Sequence, residues 1–584
     1  MRQLFLFSFL FMIAMSSSHS LDAKSLFRNG STDYEIVLAR DASISELTAC
    51  KELKFYLDSI SSADFKISEE SSPCLKKIYV GFDSSNPVFA GIAPYAFDDE
   101  SFTYRVVRGN LLIYGGKKRG TMYGVYSFLE NELGVRWYTA NYTKVPKINK
   151  YRLRKLNHTE HPGLKYRYTN FNLDRYNLPW GAHNKKNMDG WAREDQYGGM
   201  EGYWGMHTMT SYVSSKDYFK KHKEYFALRD GRRVENGQLC LSNPDVLRIC
   251  KEKLFKDIEE HPLIKIFSVS QGDNWLFCTC EKCKALDEKY GGQSGILIWF
   301  INQIADEVKV KYPGKYISTF AFQYTQAPPT NITPRENVFI RITSEGCCFA
   351  HPISIGCKTS TEDSKQFVED IKGWNKLTDN LFVWDYVIPF RNKLIPYPNF
   401  EVLAPNLRFF RDNNAVGVFE EANNASDEGC LDEIRHWVLM KLLWNPNLDT
   451  KELVKDFVYG YYGKSAPKIM EYIDLTQSLV NPLTHFRYSI WTNNRLYNDR
   501  FTERAIAILE DAYRLADNDE IRLRVESVLA QPLYLKCDRQ KELSYRDGTW
   551  ERFIEIAEKH NLQLGWSGPL KEYKQKYLNS VKNK

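Results

Sequence analysis

The rhythm of hydrophobic and polar positions changes twice along the chain. Near the N-terminus, YEIVLA alternates as a strand. Residues 45–60 then carry a helical period that turns Leu47, Leu53 and Leu57 inward. KKIYVGF reads as a second strand, and FTYRVVRGNLLIYGG as a hairpin turning at Arg108, Gly109 and Asn110. RGTMYGVYSFLENEL follows as a helix that stops before Gly134. These elements predict a small N-terminal α/β domain over residues 21–150, closing near Val145-Pro146.

From 160 to 430 short apolar runs alternate with helical segments. Eight strands are expected: LKYRYTNF, a weakly marked one before His207, QLCL, IKIFSVS, YISTFAF, NVFIRIT, NLFVWDY and AVGVFEE. Helices fall between several of them, such as 294–312 and 361–377. Eight strands joined by helical crossovers point to a (β/α)8 TIM-like barrel. From 431 to 584 the strand signals stop. EIRHWVLMKLLW, KELVKDFVYGYYG, APKIMEYIDLTQSLV, TERAIAILEDAYRLA and WERFIEIAEKH are amphipathic, so a C-terminal α-helical domain is expected. The fold class is α/β.

Composition narrows the function. Hydrophobic residues make up 43% and charged residues 26%, enough apolar surface for a large core. The net charge of +6 is spread among interspersed signs with no basic run, which excludes a nucleic-acid partner of the usual kind. The first residues, MRQLFLFSFLFMIAMSSSHS, join Arg2 to an apolar stretch from Leu4 to Met15 and then to small residues. That pattern reads as a signal peptide over 1–20, cut after Ser20. No later run is apolar and long enough to span a membrane. The expectation is export to the periplasm or the medium, where the twelve cysteines could form disulfides.

A TIM barrel places its chemistry at the C-terminal ends of its strands. The acids there are Asp273, Glu345, Asp385, Glu420 and Glu421. Two carboxyls on one rim, one protonated and one ionised, are what glycoside hydrolysis requires. Trp180, Trp204, Trp275, Trp384 and Tyr386 fall near the rim and could stack on sugars, while His207 and His351 could bind hydroxyls. GxSxG, HExxH, Walker and GxGxxG patterns are missing at the positions their chemistry needs. Cys278, Cys280 and Cys283 follow Asp273 within a few residues, and Cys240 ends QLCL. They admit disulfides, a structural zinc with Cys240 as fourth ligand, or a redox Cys-x-x-Cys. Disulfides pinning the loop beside Asp273 are the expectation.

RGTMYGVYSFLENELGVRWY resembles the small α/β domain that precedes the barrel in α-glucuronidases and hexosaminidase-like glycosidases. EYFALRDGRR, QLCLSNPDV, SVSQGDNWLFCTCEKC, FVWDY, YPNF, GVFEEAN, LMKLLWNPNLD and FVYGYYG, in that order, resemble the bacterial family called domain of unknown function 4838. That family is similar to glycoside hydrolase family 163, which implies endo-β-N-acetylglucosaminidase activity on complex N-glycans without a cofactor, in glycan-harvesting bacteria of the Bacteroides type. In hexosaminidase-like barrels an acidic pair closes strand four; here that strand ends with one acid, Asp273. Strand-end position together with these motifs points to Asp273 as general acid, with Glu420 or Glu421, and then Asp385, as its partner. Gln271, Asn274, His207, Tyr324, Glu345, Trp384 and Tyr386 would hold sugar hydroxyls or the acetamide. An α-glucuronidase-like enzyme would instead use Arg167, Arg341 or Lys185 to bind a uronate. A carbohydrate-binding protein without catalysis is the third reading. In each case the partner is an oligosaccharide or polysaccharide.

Overall fold

The computed structural model describes residues 25–582 except positions 71, 75, 175–176, 360, 425–428, 430 and 566–567. The expected signal peptide lies outside the described residues. The chain divides into two compact units: one runs to residue 129 and includes 146–159, and the other comprises 130–145 and 160–584.

The first unit is built on a sheet in which Lys76–Val80 lies parallel between Tyr34–Leu38 and Asn110–Gly115. The hairpin forms as expected between Phe102–Val107 and Asn110–Gly115. Arg108 (φ 51°) and Gly109 (φ 80°) both take left-handed backbone at its turn, which matches the twist of the flanking strands. Helix Ile44–Ser61 starts from a capping box between Ser43 and Glu46. Its buried face differs from the expected one. Leu53 and Leu57 are buried, but Leu47 is 41% exposed. Glu46 takes the inward position instead, because its carboxylate accepts from Ser43 N–H and from the Thr121 hydroxyl.

The second unit holds a closed eight-stranded barrel. Its strands are β1 (Tyr166–Thr169), β2 (Met188–Asp189), β3 (Glu201–Trp204), β4 (Ile266–Ser268), β5 (Tyr316–Ala321), β6 (Val338–Thr343), β7 (Leu381–Tyr386) and β8 (Ala415–Glu421). Neighbouring strands are parallel throughout, and β8 closes on β1. Seven strands were legible in the sequence. QLCL is not one of them: Leu239 makes only an isolated bridge to Phe226, beside the small hairpin Leu228–Arg229/Arg232–Arg233. Its place is taken by Met188–Asp189, which at two residues is too short to show an alternation.

Inward residues alternate along each strand, as the pleat requires. Tyr203, Phe339, Phe382, Trp384 and Phe419 pack together inside the barrel. Each such aromatic contributes about 2–3 kcal/mol of burial. The same core holds a charge. Arg341 is 1% exposed, with its guanidinium 4.5 Å from the ring centres of Tyr203, Trp384 and Phe419.

The helices expected after residue 431 form, among them Asp432–Trp444, Thr450–Tyr461, Ala466–Gln477, Asp499–Leu515 and Thr549–Lys559. Three more, Asp519–Arg539, Lys541–Arg546 and Leu570–Lys582, were not expected. The first carries Pro532 in its interior and is buried on all sides along its C-terminal half, so it lacks a one-sided stripe.

Candidate active site

At the C-terminal ends of the barrel strands lies a cavity of about 190 Å³. It is lined by carboxylates from three strand ends: Asp273 after β4, Glu345 after β6 and Glu421 at the end of β8. His207, Thr343 and a set of aromatic rings complete the wall.

Glu421 is half-buried, and Trp384 Nε1–H donates to its Oε2 at 2.7 Å. Burial pushes its carboxyl up to about 7; the Trp384 bond and the charges of Arg341 and Lys393 hold it down in part, and Glu345 pushes it further up. Glu345 accepts from the Tyr488 hydroxyl at 2.6 Å. Asp273 is exposed, and Gln323 Nε2–H donates to its Oδ1 at 2.9 Å. Gln323 holds this position from a left-handed backbone, φ 51°.

The aromatic wall is continuous. Tyr386 stacks on Tyr488 with centroids 4.9 Å apart and planes at 19°, and Trp384 stacks on Tyr386 at 6.2 Å. Such faces suit the C–H side of a pyranose ring. His207 also sits in left-handed backbone, φ 54°. Its Nδ1 lies 2.7 Å from the Gln271 carbonyl, so Nδ1 carries the proton and Nε2 is the acceptor in the neutral ring. Beyond Glu345 and Tyr488 the cavity meets an open groove of about 480 Å³ that shares both residues and is flanked by Trp275, 60% exposed, and Arg487.

Other residues marked from the sequence lie elsewhere. Asp385 and Glu420 are directly opposed in the β7–β8 register and are 3% and 1% exposed. The pleat turns them to the face opposite Trp384, Tyr386 and Glu421. The Ser344 hydroxyl donates to Asp385. Burial pushes Asp385 up to about 6, and burial with the Asp385 charge lifts Glu420 well above its usual range. Gln271 spends its amide N–H on the Phe320 carbonyl and Thr325. Asn274 accepts from Leu276 N–H within its own loop. Tyr324 stacks on Phe277, centroids 5.1 Å apart, and does not line this cavity. Trp180 is buried against His436, Trp204 donates to Asp257, and His351 bonds the Asn481 carbonyl. Arg167 and Lys185 lie by Trp444.

Sequence reasoning missed Tyr488, Thr343, Phe320, Phe322 and Phe390. Tyr488 had a signal: it falls in the stretch of about twenty residues between helices Ala466–Gln477 and Asp499–Leu515, and long connections of that kind tend to serve function. The expected disulfides are not formed. Cys240, Cys278, Cys280 and Cys283 are all free thiols, with sulfurs 3.7 Å apart for Cys240–Cys280 and Cys240–Cys283.

The model of the family described as domain of unknown function DUF4838 matches residues 137–474, more than half of the chain. The chain belongs to the DUF4838 family. No curated protein matches it. Among solved structures, a family GH115 4-O-methyl-α-glucuronidase with specificity for decorated arabinogalactans superposes with a TM-score of 0.56 at 10% identity, over 91% of this chain and 77% of that one. CpGH84D gives 0.50 at 12% identity, over 90% and 89%. The Flavobacterium johnsoniae chitobiase gives 0.47 at 12% identity, over 92% and 91%. The first two show that this DUF4838 protein shares the fold of glycoside hydrolases with a TIM barrel.

Proposed function

We propose that the protein is an exported glycoside hydrolase acting within complex glycans, with Glu421 as its proton donor. The observation that carries this reading is the cavity itself. One carboxyl, Glu421, is pushed to about 7 by burial, and two others, Asp273 and Glu345, line the same space. Acids set apart by environment on one rim are the requirement of glycosidic cleavage.

In this reading Glu421 gives its proton to the departing glycosidic oxygen. Asp273 acts from the other side, where it polarises an acetamide or activates water; its Oδ2 has no protein partner among the described residues. In this reading the acid role moves from Asp273 to Glu421 because burial raises the Glu421 carboxyl at the cavity wall. Glu345, fixed by Tyr488, and His207 Nε2 bind hydroxyls. Trp384, Tyr386 and Tyr488 stack on the sugar.

The groove adjoining the cavity gives room for further sugar units, which favours internal cleavage. An N-acetylglucosamine unit at the cleavage point is part of this proposal and rests on the resemblance of the sequence motifs to family 163. The α-glucuronidase reading lacks its basic subsite, since Arg167, Arg341 and Lys185 do not line the cavity.

The test is a glycan digest. Mature protein from Leu21 onward, and its Glu421→Gln variant, would be incubated with complex N-glycans and with glucuronoxylan fragments, and products read by mass spectrometry. Antenna fragments ending in N-acetylhexosamine, lost in the variant, are expected. Free glucuronic acid would replace this reading with the α-glucuronidase one. Glycan binding with no product from any pool would reduce the protein to a binding module.

A further inference from the structure

We propose that Cys240, Cys278, Cys280 and Cys283 hold one zinc ion, and that this ion clamps the loop carrying Asp273. The four sulfurs lie within 4.8 Å of one another, and Cys240 is 3.7 Å from both Cys280 and Cys283. Zinc bound tetrahedrally by thiolates at about 2.3 Å sets the sulfur–sulfur edges at about 3.8 Å. A disulfide needs about 2.05 Å and a single partner. Cys240 sits equally far from two, at the edge length of a tetrahedron.

The surroundings suit a thiolate cluster. Leu228 N–H donates to Cys278 Sγ at 3.3 Å. The Ser242 hydroxyl lies 3.2 Å from Cys283 Sγ and 3.4 Å from Cys240 Sγ. Arg233 Nη1 approaches Cys278 Sγ at 3.9 Å. The Leu228 N–H and the Arg233 guanidinium offset part of the negative charge that four thiolates leave on a zinc site. Cys280 stands at the N-cap position of helix Glu281–Tyr290, and Cys283 lies in its first turn, so both sulfurs sit at the positive end of that helix. Ala227 and Ile296 pack against the group and shield it from water.

The topology gives the ion a role. Cys240 belongs to the segment between β3 and β4; the other three follow β4, beginning five residues after Asp273. The two segments already meet through Gln238, whose side chain accepts from Gly272 N–H and donates to the Gly272 and Asn274 carbonyls. Zinc would lock them covalently, with the thiol protons released to solvent.

The test measures metal and thiols together. Mature protein would be dialysed against metal-free buffer and its zinc counted by plasma mass spectrometry, for wild type, Cys280→Ser and Cys348→Ser. The last variant controls for a second group, Cys348, Cys357 and His485. Thiols would be alkylated in denaturant with chelator and no reductant, then mapped by peptide mass. The expected result is one equivalent of zinc lost in Cys280→Ser and retained in Cys348→Ser, with all four cysteines alkylated in wild type. If Cys280→Ser does not fold, cobalt(II) chloride added to zinc-stripped wild type decides. Thiolate-to-cobalt charge-transfer bands with tetrahedral d–d absorption support the site, and their absence overturns it. Disulfide-linked peptides among the four, or equal zinc in wild type and a folded Cys280→Ser, also overturn it.

Discussion

Glu420 and Glu421 are neighbours on one strand, yet they live in different chemistry. Glu421 faces the cavity, bonded by Trp384 and within reach of the field of Arg341. Glu420 faces the other way, opposite Asp385, and its Oε2 finds no hydrogen-bond partner among the described residues. Both carboxyls are raised by burial. Only one of them borders space where a substrate could sit. A raised carboxyl is therefore not a catalytic signal by itself. It becomes one when the pleat aims it into a cavity with other acids and a stacking wall.

The contrast can be broken most directly at the inner face. Glu421→Gln removes the proton donor, and kcat should fall by about 10²- to 10⁴-fold with the fold intact, read by product release and circular dichroism. A smaller but diagnostic effect comes from pH. Glu421 must be protonated to act, so kcat/KM should fall as pH rises through about 7, and this limb should vanish from the residual activity of Glu421→Gln. The same shift bears on stability. Its folded value, about 7, is above the usual 4.5, so the contribution is complete below 4.5 and lost as pH rises through 7. Asp385, raised from 3.8 to about 6, acts in the same sense over its own window. Thermal midpoints measured from pH 4 to pH 8 should fall with rising pH from these two groups, less steeply in Glu421→Gln.

Tyr488→Phe deletes the 2.6 Å bond to Glu345 but keeps the stack on Tyr386. A loss of about tenfold in kcat/KM is expected, the equivalent of about 1.4 kcal/mol. At the outer face the effect should move from rate to stability. Ser344→Ala removes the hydroxyl that donates to buried Asp385. It should cost about 1–3 kcal/mol in a denaturant titration and change kcat less than threefold or so.

The sequence made the barrel legible through runs such as NVFIRIT and NLFVWDY, whose length and apolar content survive any error of register. It pointed to strand ends that border the cavity as well, since Asp273, Glu345 and Glu421 all stood among the rim acids. What it could not carry was the face. Asp385 and Glu420 differ from Tyr386 and Glu421 by one position, and one position inverts the side chain. Nor could it show Tyr488, which joins the site from a segment more than sixty residues beyond β8, or the change of QLCL from a barrel strand to a cysteine-bearing loop. Such placements depend on contacts distant in the chain.

The most direct measurement sets Glu420→Gln beside Glu421→Gln on one cleaved glycan, with melting curves to confirm that both are folded. Activity should be lost in Glu421→Gln and stay within a few-fold of wild type in Glu420→Gln. Full activity in Glu421→Gln, or loss in a natively folded Glu420→Gln, would contradict the assignment of the cavity-facing carboxyl as the acid.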